Sequence, residues 1–114
     1  MKPSDKRLSK RVASSRAARV KSINGHVQEI NAKTRDVSMR GVFIYLEKQV
    51  LEGSTLEIVL PLPEGITDVQ EMWVRCKCRV VRVEETGKGK EFGVAAIIEE
   101  YEPLADSAAG LAHA

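Results

Sequence analysis

The sequence predicts an all-β fold: six short antiparallel strands curled into a small barrel, a flexible N-terminal arm, and a C-terminal tail or short helix. Three observations carry that prediction. Apolar residues recur at every second position over several short segments, the spacing of half-buried strands. Hairpin-length turns join most of these segments, which favours antiparallel pairing and closure into a small barrel. The length, 114 residues, suits one domain with a modest single core.

Residues 1–15 have no persistent periodicity and no aromatic, so they are expected to form a flexible basic arm. The barrel is expected over 16–102. A first strand is predicted from Arg16 to Ile23, followed by Asn24-Gly25, a strong signal for a type I′ hairpin turn because both residues tolerate positive φ. His26 to Ala32 returns as the second strand and leads into a polar turn around Asp36. In the third, Val42, Ile44 and Leu46 share one face, with Phe43 and Tyr45 on the other.

Leu56, Ile58, Leu60 and Leu62 alternate with Glu57 and Val59, giving a fourth strand with a clear inward side. Pro61 and Pro63 cannot donate to a ladder, so its end should lie at an edge or leave the sheet. Pro63 to Glu71 reads as a loop. The longest strand runs from Met72 to Val83, with Val74, Cys76, Cys78 and Val80 facing one way and Arg75, Lys77 and Arg79 the other. The apolar parity then shifts to Val81 and Val83, as a β-bulge near Val80–Val81 would produce. Thr86-Gly87-Lys88-Gly89 is a hairpin turn, and Phe92 to Ile98 is the last strand. Over 103–114, Leu104, Ala108 and Leu111 keep helical spacing.

Hydrophobic residues at 43% and charged residues at 30% are ordinary for a soluble domain. No apolar run is long enough for a membrane-spanning helix, and a cytoplasmic location is expected. The net charge of +2 hides an asymmetry: residues 1–21 hold eight Lys/Arg against Asp5 alone, which leaves ten basic and fifteen acidic residues beyond. A basic arm on an acidic body implies an anionic partner for the arm. Cys76 and Cys78 share a strand face and are expected to be reduced core thiols. His26 and His113 lack ligand spacing, so no metal site is expected.

Catalysis finds little support. Glu84-Glu85 and Glu99-Glu100 are successive strand residues facing opposite sides. Ser38 has no histidine nearby in sequence to act as base, and no phosphate-cradling glycine loop is present. No catalytic residue and no cofactor are expected.

The informative stretch is Thr34 to Ile44. Asp36 offers acceptors only, and Ser38 offers a donor and an acceptor. Gly41 can take positive φ or admit a close neighbour. Such a surface can hydrogen-bond a planar polar ligand, although the same residues could simply form an Asx/ST turn serving their own backbone. Upstream, Arg7-Leu8-Ser9-Lys10-Arg11 places two guanidiniums four residues apart, directly before Val12.

An Arg-x-x-x-Arg pair ahead of an Asp-x-Ser-x-x-Gly stretch, in a chain of short strands, resembles the PilZ domain family of bacterial cyclic di-GMP receptors. The resemblance runs from about Lys6 to Glu100 and suggests a stand-alone member. It implies that Arg7, Arg11, Asp36, Ser38 and Gly41 bind cyclic di-GMP, with Lys6, Arg35 and Arg40 as candidate additional contacts. It also implies a protein partner, not identified by the sequence, that reads the arm's ordering on ligand binding. Chemically, a guanine edge carrying O6 and N7 accepts a bidentate guanidinium, and its face can stack a second one. The opposite edge donates N1–H and the N2 amino group, which suits the Asp36 carboxylate. Two other readings remain: a small barrel binding single-stranded nucleic acid, and a PilZ-fold protein adaptor without nucleotide. The first needs exposed aromatic platforms, and most of the five aromatics are expected in the core.

Overall fold

A computed structural model describes residues 12–13, 15–62 and 72–104. Among these residues every regular element is a strand: β1 (Val12–Ala13), β2 (Ala17–Ile23), β3 (His26–Val37), β4 (Gly41–Leu46), β5 (Thr55–Leu62), β6 (Met72–Glu85) and β7 (Phe92–Pro103). The order across the sheet is β3-β2-β5-β6-β7-β4, and β3 also pairs with β4, which closes a six-stranded antiparallel barrel. β1 is added to β3 outside that ring, with Val12 opposite Val37 and Ala13 opposite Asp36.

Closure depends on the length of β3. Its first part pairs with β2, through Ala17 opposite Lys33 and Ile23 opposite His26. Its second part pairs with β4, from Ala32 opposite Leu46 to Val37 opposite Val42. The hairpin between β2 and β3 turns at Asn24 and Gly25, with φ of 51° and 83°, as the Asn-Gly pair predicts.

The interior is aliphatic. Val20, Val37, Val42, Ile44, Leu56, Ile58, Leu60, Val74, Cys76, Cys78 and Val94 are fully buried, and Val80 nearly so. A six-stranded barrel is narrow, so branched aliphatic side chains fill it. Each such side chain contributes about 1.5–3 kcal/mol through burial. No aromatic belongs to this core, which corrects the expectation that most would. Phe43 is buried, but its strand parity puts it on the barrel's outer face, and Tyr101 is exposed.

Along β6, Val74, Cys76, Cys78 and Val80 face inward as read from the sequence, and Val83 packs against the core. Val81, expected on the same side as Val83, is instead exposed. The register against β7 shifts between Val80 and Arg82, the site of the anticipated bulge, which leaves Val81 as the additional residue. The two thiols are free and buried. A hydrogen bond shared with Cys76, together with burial, pushes the Cys78 thiol up, so it stays neutral at physiological pH.

Several boundaries differ from the sequence reading. β3 runs five residues past Ala32, so Asp36 lies in a strand and the turn begins at Ser38. β7 runs past Ile98 to Pro103 because the long β6 supplies partners throughout, Lys77 opposite Glu100 and Arg75 opposite Glu102 among them. The stretch Glu99-Glu100-Tyr101-Glu102 has no apolar alternation, so hydropathy does not mark it as strand. Val12 and Ala13, assigned by sequence to the arm, pair with β3. Pro61 stays paired with Trp73 on β6 although β2 pairing with β5 ends at Val59, so it does sit where one side of the strand is an edge. The Pro63–Glu71 loop and the helical spacing beyond Leu104 fall outside the described residues.

Candidate functional site

β3 and β4 shape the outer surface around Asp36. Their register shifts between Thr34 and Asp36, where Thr34 opposes Ile44 and Asp36 opposes Phe43, so Arg35 is the additional residue of a β-bulge. In a regular strand, Arg35 and Asp36 would face opposite sides. The bulge lets both point outward. Arg35 Nε donates to Asp36 Oδ2 at 2.7 Å, with the Arg35 side chain 49% exposed and that of Asp36 15%. The same guanidinium lies over the Phe43 ring, its Cζ 3.7 Å from the centroid.

Phe43 is held from two other sides. Its ring meets Tyr45 edge-on, with centroids 5.5 Å apart and planes at 71°. Beneath it lies Gly93, where an added Cβ would come within 2.6 Å of the Phe43 Cζ. Gly93 therefore serves as bare backbone on which the ring rests. The Asp36 hydrogen bond, opposed by partial burial and aided by Tyr45, raises the Arg35 pKa further, which fixes its charge.

Next to the bulge is the Ser38–Gly41 turn. Ser38 N–H donates to the Gly41 carbonyl at 2.8 Å. Ser38 Oγ accepts from Gly41 N–H at 3.0 Å and Arg40 N–H at 3.2 Å, and donates to the Gly41 carbonyl at 3.2 Å. The hydroxyl is buried and committed to the turn, the backbone-serving reading of the motif. Ile98 N–H donates to the Arg40 carbonyl at 2.8 Å, tying the turn to β7. Gly41 is buried and begins β4 without a positive φ. Its place in the motif is thus not explained by backbone handedness.

Of the sequence-predicted site residues, Asp36, Ser38, Gly41, Arg35 and Arg40 come together here. Arg40 is exposed at the turn. Lys6, Arg7 and Arg11 lie outside the described residues, although Arg11 immediately precedes Val12 in the chain. Phe43 was read from sequence as a strand residue and not as part of a site. Its only signal was parity, an aromatic opposite the core-facing Val42 and Ile44.

Residues 5–102 match the family model of the PilZ domain. The chain belongs to the PilZ domain family. That family is known as a receptor domain for cyclic di-GMP, with receptor and adaptor roles in place of catalysis. No curated protein shows a significant match to the chain. In this PilZ domain the match takes in both stretches singled out by sequence, the Arg7–Arg11 pair and the Asp36–Gly41 segment. Among the described residues, no helix is long and apolar enough to cross a membrane.

The turn also supplies a stability test. Ser38→Ala removes the acceptor shared by two backbone N–H groups, one of them the buried Gly41 amide. Leaving such a group unpaired costs about 1–3 kcal/mol, so the urea midpoint should fall accordingly. An unchanged midpoint would mean that the hydroxyl does not hold the turn.

Proposed function

We propose that this PilZ domain binds cyclic di-GMP on the outer face of the barrel, between the N-terminal arm and the β3–β4 turn. The observation that carries the reading is the pairing of β1 with Val37 and Asp36. The Arg-x-x-x-Arg segment ends at the residue before β1, so in sequence that motif leads directly into the strand that pairs beside Asp36.

The roles follow from chemistry. Arg7 and Arg11 contact guanine by bidentate bonding to O6 and N7 or by stacking, and contact phosphate with their remaining donors. Asp36 accepts from guanine N1–H and the N2 amino group. Ser38 and Gly41 act through the turn they hold, which sets the height and direction of Asp36. Arg40 and Arg35 add positive charge near the phosphodiesters, as Lys6 does from the arm. Ligand contacts then order the arm, whose closed-down surface is what a protein partner reads.

The aromatics outside the core favour a hearing for the nucleic-acid reading. Tyr45 lies on β4, whereas Trp73 lies on β6 opposite Pro61. With β7 between their strands, these two rings form no continuous stacking platform, as single-strand binding requires.

Titration calorimetry with cyclic di-GMP tests the proposal. Micromolar or tighter binding is expected, about 8 kcal/mol or more, with GMP far weaker. Tight binding of single-stranded RNA with no heat from cyclic di-GMP would overturn it.

A further inference from the structure

We propose that Arg35 is a positioning residue that fixes the Asp36 carboxylate and thereby sets selectivity for guanine over adenine. The inference rests on the cyclic di-GMP reading above.

The bulge is what makes the arrangement possible. It brings adjacent side chains to one face, so Arg35 reaches Asp36 Oδ2 through Nε at 2.7 Å. A single hydrogen bond from a solvated arginine would leave both side chains free to rotate. Here the guanidinium is also pressed on the Phe43 ring at 3.7 Å. That ring is itself 2% exposed, wedged between Tyr45 and the bare Gly93 backbone. The chain of contacts from Gly93 to Phe43 to Arg35 to Asp36 therefore starts in the rigid barrel and ends at the carboxylate.

This geometry has a consequence for the ligand. Guanine presents N1–H and N2 amino donors to a carboxylate, whereas adenine has an acceptor at N1 and no amino group at C2. A carboxylate held in one orientation rewards the first and gives the second nothing. Lysine cannot reproduce the arrangement: it lacks the planar group that lies flat on Phe43 while donating sideways to Asp36. Arg35→Lys keeps the charge and removes the positioning. Phe43→Leu keeps every charge and removes the flat support.

The test titrates the full chain and both variants with cyclic di-GMP and with cyclic di-AMP. Each variant should weaken cyclic di-GMP binding by about tenfold or more, the scale of a misplaced bidentate contact. Weak, phosphate-driven binding of cyclic di-AMP should stay the same. Arg35→Lys binding cyclic di-GMP like the parent, or equal losses for both ligands, would overturn the inference. A ligand-free readout separates it from the receptor reading. The Arg35 Hε signal should be shifted upfield by the Phe43 ring, and Phe43→Leu should abolish that shift. Its absence from the parent chain overturns the positioning role even if cyclic di-GMP binds. A shifted signal in a chain that binds neither dinucleotide would overturn the receptor reading, and the selectivity role with it.

Discussion

A chain carrying Arg7→Ala and Arg11→Ala together should lose roughly 2–6 kcal/mol of cyclic di-GMP affinity, two bidentate contacts at about 1–3 kcal/mol each. Starting from micromolar binding, the complex would fall to the edge of detection or beyond. The loss is specific because arginine supplies both a fork for the guanine edge and a plane for its face. Thermal unfolding should change little, since the closed barrel runs from β2 to β7 and needs neither residue for its pairing. Lys77→Ala is the matched control: Lys77 is exposed on β6 opposite Glu100, in a ladder away from the Asp36 turn. Calorimetry on the two variants should separate them clearly. Comparable losses from both would indicate diffuse attraction between a polyanion and a basic protein.

The second large effect concerns the barrel itself. Ile44 is fully buried near the middle of β4, opposite Thr34 on β3 and Val94 on β7. It thus packs beneath both seams that β4 closes. Ile44→Ala should cost about 2–5 kcal/mol through lost transfer energy and the cavity left behind. Against a total of about 5–15 kcal/mol for a typical domain, that loss is large. Urea unfolding should show a lower midpoint with a similar slope. Val27→Ala, at a side chain 90% exposed, should leave the midpoint nearly unchanged. If Ile44→Ala cost less than about 1 kcal/mol, the seam would not be closed as described.

Much of this fold was legible because strands with one buried face announce themselves by alternation. Val74, Cys76, Cys78 and Val80 are an example, and the move of apolar character to Val81 and Val83 even revealed the bulge in β6. The bulge at Arg35 gave no such sign. Thr34 occupies a buried position there, its hydroxyl accepting from Arg16 N–H at 2.9 Å, so a polar residue sits where an apolar one would have marked the register. β1 went unread for another reason: two residues carry no periodicity.

At the candidate site, the sequence names the residues around the turn but not which of them serve the turn and which face outward. Asp36 and Ser38 are two apart and look equivalent as ligand groups. Burial separates them, turning the Ser38 hydroxyl into the turn and leaving Asp36 on the outer face beside Arg35. Arg35 read as solvated charge as readily as a contact, because its stacking on Phe43 depends on a register that local sequence does not encode.

The most direct test of the site is a backbone-amide NMR titration of the full chain with cyclic di-GMP. One saturable process should shift residues 35–41 together with residues 7–13, the second of which includes β1, paired through Val12 and Ala13 with Val37 and Asp36. The face around Arg75 and Lys77 should stay unmoved. Absence of shifts at about 100 µM ligand, some hundredfold above a micromolar dissociation constant, would contradict the receptor reading. Shifts confined to the face around Arg75 would place the ligand elsewhere and contradict the site.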